Sequence, residues 1–242
     1  MSFFRTWIFR AFAALVVVLL AAGAGWWFFI REDNKLATTA PGIPAELKST
    51  GTAPAPGTPG STAAGGHYSI VSAQSEAAYF AGEKLARVSL PSTAKGATKS
   101  IQGDFYLTPT GLDTTKESKF TVDLTTLKSD EANRDRQVNQ RGLETSKFPS
   151  ATFVATRLDG YPAEFPSGQE VAMKLTGMMD LHGVKKELTW DVKMRKEGDA
   201  ISALATVNFK YADFNIAQIS IGGFVSVDDN VTLQMQVVAK QS

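Results

Sequence analysis

The chain has 242 residues, a formal net charge of +1, two histidines and no cysteine. Those figures exclude disulfide staples, thiolate chemistry and a lipidated cysteine, and His67 and His182 stand too far apart in sequence for a His cluster of metal-ligand spacing. Lys and Arg are interspersed with Asp and Glu, and no basic patch is interleaved with aromatics, so nucleic acid is not an expected partner.

After a short flank, 1–10, the run Ala11–Ile30 carries no charge. At about 20 residues it is long enough to cross a bilayer as a helix. Arg5 and Arg10 precede it, Arg31 follows, and Trp26 and Trp27 lie near its end, where an interfacial aromatic belt belongs. The competing reading is a cleaved signal peptide, with Ala11–Leu20 as its apolar core and Ala22-Gly23-Ala24 as the cleavage site. Cleavage there would leave Trp26-Trp27-Phe28-Phe29-Ile30 at the mature N-terminus, so a retained membrane anchor is the expectation. Charge does not orient it, because Arg31 and Lys35 balance Arg5 and Arg10.

From Arg31 to Gly66 the composition shifts to Ala, Thr, Gly and Pro, including Pro41, Pro44, Pro54, Pro56 and Pro59. Such a segment buries too little apolar surface to offset its ordering entropy, which predicts a disordered tether. As a flexible coil of about 36 residues it would span roughly 30–36 Å.

The remainder, 67–242, is the size of one domain with its own core, at about 175 residues. Apolar and polar residues alternate along it. Phe120, Val122 and Leu124 form one such set, and Leu188, Trp190, Val192 and Met194 another. Ile201 through Phe209 and Val231 through Val237 repeat the pattern. One wet and one apolar face is the signature of antiparallel strands. Further apolar stretches lie at Tyr68–Val71, Ala77–Ala81, Ile101–Leu107, Ala151–Ala155 and Val171–Leu181. Turn signals occur at Pro109-Thr110-Gly111, Asp159-Gly160, Glu197-Gly198-Asp199 and Asp228-Asp229-Asn230. The sum predicts an all-β fold of about eight strands, closed into a barrel that leaves no exposed edge. A barrel of that size is either filled by side chains or holds one slender ligand.

One short helix interrupts the strands. Ser129 is the predicted N-cap, Asp130 and Glu131 suit the first turn, and Gly142 the C-cap. Ala132, Asp135 and Val138 would share the inward face, with Asp135 accepting hydrogen bonds from fixed donors and Arg136 facing solvent.

Nothing in the sequence assembles a catalytic site. There is no Gly-x-Ser-x-Gly elbow, no phosphate-binding glycine loop and no metal cluster, and Asp228-Asp229 reads as a solvated turn. No enzyme activity and no cofactor is expected, and nothing fixes an oligomeric state. Five of the methionines, Met173, Met178, Met179, Met194 and Met235, fall in the last third of the chain, a usage suited to an adaptable cavity. Phe80, Phe105, Phe120, Phe153, Met173, Trp190 and Phe209 are the candidate lining residues, with His182 a candidate donor at the barrel mouth.

The order of local motifs adds a family. Tyr68-Ser69-Ile70-Val71, Ser75-Glu76 and Gly103-Asp104-Phe105 precede Asn133-Arg134-Asp135-Arg136 and Phe148-Pro149. Leu181-His182-Gly183-Val184, Asp213-Phe214 and Asp228–Val238 follow. This series resembles the YceI-like lipid/polyisoprenoid-binding family over His67–Gln241. The resemblance implies a lipocalin-like antiparallel barrel that holds a long isoprenoid chain, such as a quinone tail or prenyl pyrophosphate. It also implies export, hence a single-pass membrane protein with its barrel outside the cytoplasm. Lys185, Asn215 and Tyr211 depart from the family pattern. Tyr211 stands where Arg is frequent, which favours a neutral quinone over a pyrophosphate. The alternative is a barrel filled by its own side chains that serves as a protein-interaction or envelope-stress module.

Overall fold

The computed structural model describes residues 34–48, 65–85, 88–166, 168–218, 220–221 and 225–242. The expected anchor Ala11–Ile30 lies outside them. Among the described residues no helix is long and apolar enough to cross a membrane.

Among the described residues thirteen strands form one antiparallel sheet. They are β1 (Gly66–Ile70), β2 (Glu76–Leu85), β3 (Val88–Thr98), β4 (Ile101–Thr108), β5 (Gly111–Leu112), β6 (Ser118–Asp123) and β7 (Lys128–Ser129). After the helix come β8 (Ser150–Asp159), β9 (Val171–Leu181), β10 (Val184–Glu197), β11 (Ala200–Lys210), β12 (Ser220–Ile221) and β13 (Val225–Gln241). The ring runs β1-β4-β6-β8-β9-β10-β11-β13, and β13 closes it by pairing with β1. The expected eight-stave antiparallel barrel is therefore present.

Three staves are each broken into two strands. β13 pairs with β2 through Val225–Gln236 and with β1 through Ala239–Gln241. Between them the chain turns at Ser72–Gln74, and buried Ser75 repairs the ladder. Its Oγ accepts from Val238 N at 3.0 Å and donates to Val71 O at 2.9 Å. β3 continues into β4 beside it, and β6 passes through the turn Leu124–Thr126 into β7. There Asp123 Oδ1 accepts from Thr125 N at 2.9 Å.

The long strand β3 departs from expectation. Val88–Thr98 has no apolar alternation and contains Pro91 and Gly96, so the sequence gives no strand signal there. Its composition answers to its neighbour: a Cβ on Gly96 would stand 2.2 Å from the Tyr79 ring. Asp228-Asp229-Asn230 also differs from the predicted turn. It is an irregularity within β13, where the register with β2 shifts between Val227 and Val231.

The helix α1 spans Ala132–Gln137 and passes into a π turn, Val138–Gly142. Its N-cap is Glu131, not Ser129: the Glu131 carboxylate accepts from Asn133 N at 3.0 Å. Ser129 instead feeds Asp135, whose Oδ1 accepts from Ser129 N at 2.8 Å and Ser129 Oγ at 2.7 Å. Asp135 is half-buried and Arg136 exposed, as the helical face requires, but Ala132 is exposed too.

Part of the expected disordered linker is ordered. Residues 36–48 form a strap along the outer wall. The Gln234 side chain pairs with Ala37 as a strand would, accepting from its N at 2.8 Å and donating to its O at 3.0 Å. Lys193 Nζ donates to Thr38 O at 2.6 Å, and Ala40 N donates to Glu170 at 2.7 Å. Ala40 and Ile43 are buried, which supplies the apolar contact that composition alone concealed.

Candidate functional site

Parity along the staves decides what faces inward. Trp190, Val192 and Met194 of β10 are buried, while Asp191 and Lys193 between them are exposed. The inward residues enclose two apolar chambers. The one beneath α1 has a volume of about 120 Å³, and the one towards the far end about 70 Å³. A water needs only about 10–15 Å³ of such space, and an apolar cavity of this order stays dry while accepting an apolar guest. A barrel filled by its own side chains leaves no such chambers.

Phe120, Phe153, Trp190 and Met235 line both chambers and form a waist between them. Aromatic rings run through this waist from stave to stave. Tyr68 stacks on Phe105 at 5.2 Å, Phe105 on Phe120 at 6.0 Å, and Phe153 meets Trp190 edge-on at 5.9 Å. Phe153 and Trp190 lie on staves separated by β9. The gap is Gly177, where a Cβ would come within 2.6 Å of the Phe153 ring. Among the described residues Trp190 Nε1 has no hydrogen-bond partner.

Of the residues expected to line the interior, Phe105, Phe120, Phe153, Trp190 and Phe209 do so. Met173 is buried in the core but borders neither chamber. Phe80 points the other way. Its neighbour Tyr79 faces the chamber, so Phe80 packs outward in a surface groove with Leu36, Gly82 and Thr232. The segment Ala77–Ala81 is apolar on both faces, and alternation could not choose between them.

His182 also lies away from both chambers. It sits at the β9–β10 corner with φ 54°, Nδ1 3.1 Å from Phe214 O and Nε2 3.2 Å from Glu144 Oε2. Phe148 packs edge-on against its ring at 4.6 Å. It fastens loops together and does not line either chamber. Lys147 above all, with His182, holds the Glu144 carboxyl below the usual range.

The polar groups that do border the helix-side chamber were not singled out as ligand contacts in the sequence. Tyr79 and Tyr211 line its wall. Beside them Arg134 Nε donates to Glu83 Oε1 at 3.0 Å and a terminal nitrogen to Oε2 at 3.2 Å. The other terminal nitrogen binds Asp130. Burial pushes the Tyr211 phenol up to about 12, with Glu83 and Asp228 adding to the shift. Burial also raises Tyr79 above the ordinary phenol range; Arg134 opposes this, and Asp135, Tyr211 and Glu83 reinforce it. Glu83 and Arg134 are 51 positions apart, so no local motif announces the pair. Among the described residues no group of three or more His, Cys, Asp or Glu is placed to hold a metal.

The pattern of the YceI-like domain matches residues 68–239. Solved structures share the fold. Burkholderia cenocepacia BcnA superposes with a TM-score of 0.55 at 19% identity, covering 71% of this chain and 99% of its own. A polyisoprenoid-binding domain from Saccharophagus degradans, implicated in plant cell wall breakdown, gives 0.54 at 14% identity, covering 72% and 98%. A Campylobacter jejuni YceI protein gives 0.53 at 20% identity, covering 66% and 91%. No curated protein sequence matches the chain.

Proposed function

The chain belongs to the YceI-like family, and from that premise we propose that it binds a long isoprenoid lipid inside its barrel, a quinone tail or a prenyl lipid, without transforming it. The observation that carries this reading is the pair of apolar chambers meeting at the aromatic waist. The Saccharophagus degradans domain of the same fold is described as polyisoprenoid-binding, which agrees with it.

The reading extends to the membrane. The uncharged run Ala11–Ile30 anchors the chain, with the barrel on the extracytoplasmic side. A prenyl tail in a bilayer is already in apolar surroundings, so the barrel gains little by accepting it. Exposure to water is the obstacle, at about 0.8 kcal/mol per CH₂. An anchored barrel works at short range and at high effective concentration.

The test is to purify the full-length chain from membranes in detergent, extract it and identify co-purifying lipid by mass spectrometry. The reading expects a quinone or prenyl lipid at up to one per chain. A protein that is empty, and takes up neither class when offered, contradicts it. Protease shaving of intact cells tests the sidedness, and N-terminal sequencing tests anchor retention.

A further inference from the structure

Resting on the retained anchor of that reading, we propose that the strap turns the barrel, so that its helix end, with the larger chamber, is the end held against the bilayer. Two observations lead there, one about where the chain meets the barrel wall and one about how far it can reach.

The strap runs along the outer wall in one direction. Leu36 lies in the groove beside Asn230 and Thr232, close to the helix end, where Asn230 pairs with Lys210 at the last position of β11. Ala37 follows on Gln234, then Thr38 on Lys193, and Ala40 on Glu170 just before β9. The strap finishes at the far end, where Lys48 Nζ lies 2.5 Å from Glu197 Oε2 at the close of β10. β1 also starts at the far end, with Gly66 opposite Leu107 and Tyr68 opposite Gln241. A barrel hung from β1 alone would present its far end to the membrane and its helix end to solvent. The docked strap moves the point of attachment to the opposite end.

Chain length makes that difference count. Only Arg31–Lys35 stand between the uncharged run and Leu36, so the backbone from Ile30 to Leu36 spans at most about 20 Å. β11 alone, at 11 residues, is about 35 Å long. With the helix end down this connection has slack, whereas with the far end down it would have to be stretched out almost fully. Were the strap undocked, the stretch 31–65 would separate Ile30 from β1, a contour of more than about 100 Å that imposes no orientation. Docking is held at several points. The backbone N–H groups of Ala37 and Ala40 are both donated to the wall, and the Ala40 and Ile43 side chains are buried. A lipid leaving the bilayer then meets the chamber beneath α1 first, and its tail is spared the passage through water around the barrel.

The experiment uses the full-length chain reconstituted into phosphatidylcholine vesicles in which some head groups carry a maleimide. The chain has no cysteine, so Ser146→Cys reports on the helix end and Thr110→Cys, in the turn between β4 and β5, on the far end; both positions are exposed. Adduct formation is followed by intact-protein mass spectrometry and divided by each variant's rate with a soluble maleimide. Ser146→Cys should react at least about tenfold faster than Thr110→Cys, because the short tether raises its effective concentration at the lipid surface. Ile43→Asp, which places a carboxylate in the buried seat, should abolish or reverse that advantage. Ala37→Pro with Ala40→Pro, which removes the two donated N–H groups, should do the same without touching the barrel. Equal rates with the native strap, a faster Thr110→Cys, or a ratio that neither strap variant moves overturns the proposal; lipid that still co-purifies then leaves the lipid-binding reading standing. A full-length chain that does not float with the vesicles removes the retained anchor, and this proposal with it. An empty barrel that nevertheless shows the expected ratio removes lipid binding alone.

Discussion

At the far end of the barrel, left-handed backbone is assigned to glycine: Gly111 at φ 135°, Gly160 at φ 85° and Gly198 at φ 58°. At the helix end it falls on Gly183 at φ 74° but also on Glu144 at φ 45°, His182 at φ 54° and Asn215 at φ 54°. Residues with a Cβ hold such conformations only where surrounding contacts enforce them, at a cost of about 1–3 kcal/mol each. Here the contacts are mutual. Glu144 binds His182, and His182 binds the carbonyl of Phe214, the neighbour of Asn215. Leu143 precedes Glu144 and Ile216 follows Asn215, and both line the chamber. The strained residues thus fix the chamber wall, whereas the far end merely turns the chain.

The largest effect is expected where the two ends meet. Trp190→Ala should merge the chambers and destabilise the barrel by about 3–5 kcal/mol, measured by urea melts. A loss below about 1 kcal/mol would mean that the waist is loosely packed. Within the helix end, Asp135→Ala strands Ser129 N and Oγ and should cost about 1–3 kcal/mol. Arg136→Ala, one position on and exposed, should stay within about 0.5 kcal/mol of wild type.

Exchanging the two kinds of turn sharpens the contrast. His182→Gly relieves the backbone yet should still destabilise by about 1 kcal/mol, because two ties are lost. Gly198→Ala at the far end should lose a similar amount through backbone strain alone. A stabilised His182→Gly protein would show that the ties are worth less than the strain.

The smallest effect is a change of slope with pH. Burial raises Tyr211 and Tyr68 to about 12 in the folded chain, against about 10 when unfolded. A raised folded value means that this stability is fully present below about pH 10 and is lost as pH climbs towards about 12. Lys196, lowered by burial at the far end, works in the opposite sense: the unfolded chain binds the extra proton just below its ordinary value, so stability rises with pH there. Melts between about pH 9 and about pH 12 should therefore steepen downward, and Tyr211→Phe should flatten them. An unchanged slope would place that phenol in water.

The same unevenness governs how far the amino-acid sequence could be read. Staves β10, β11 and β13 are legible because every second residue faces an apolar interior, and Phe105, Phe120, Phe153, Trp190 and Phe209 follow from that parity. β3 is illegible because it lacks apolar alternation, and its Gly96 answers only to the Tyr79 ring across the ladder. Phe80 misleads because both faces of Ala77–Ala81 are apolar, one towards the chamber and one towards the surface groove. The strap is ordered by partners distant in sequence, Gln234 on Ala37, Lys193 on Thr38 and Glu170 on Ala40. The Tyr79–Tyr211–Arg134–Glu83 rim assembles only when β2, the helix and the turn Tyr211–Phe214 converge, which no local spacing records.

The central claim is that a prenyl chain lies inside the barrel and passes the waist. A neutral prenyl lipid carrying a photoreactive diazirine along its tail, offered to the full-length chain and mapped by peptide mass spectrometry, tests it directly. The account predicts adducts at the waist residues Phe120, Phe153, Trp190 and Met235. Adducts confined to the outer groove around Phe80 and Thr232, or none at all, would contradict it.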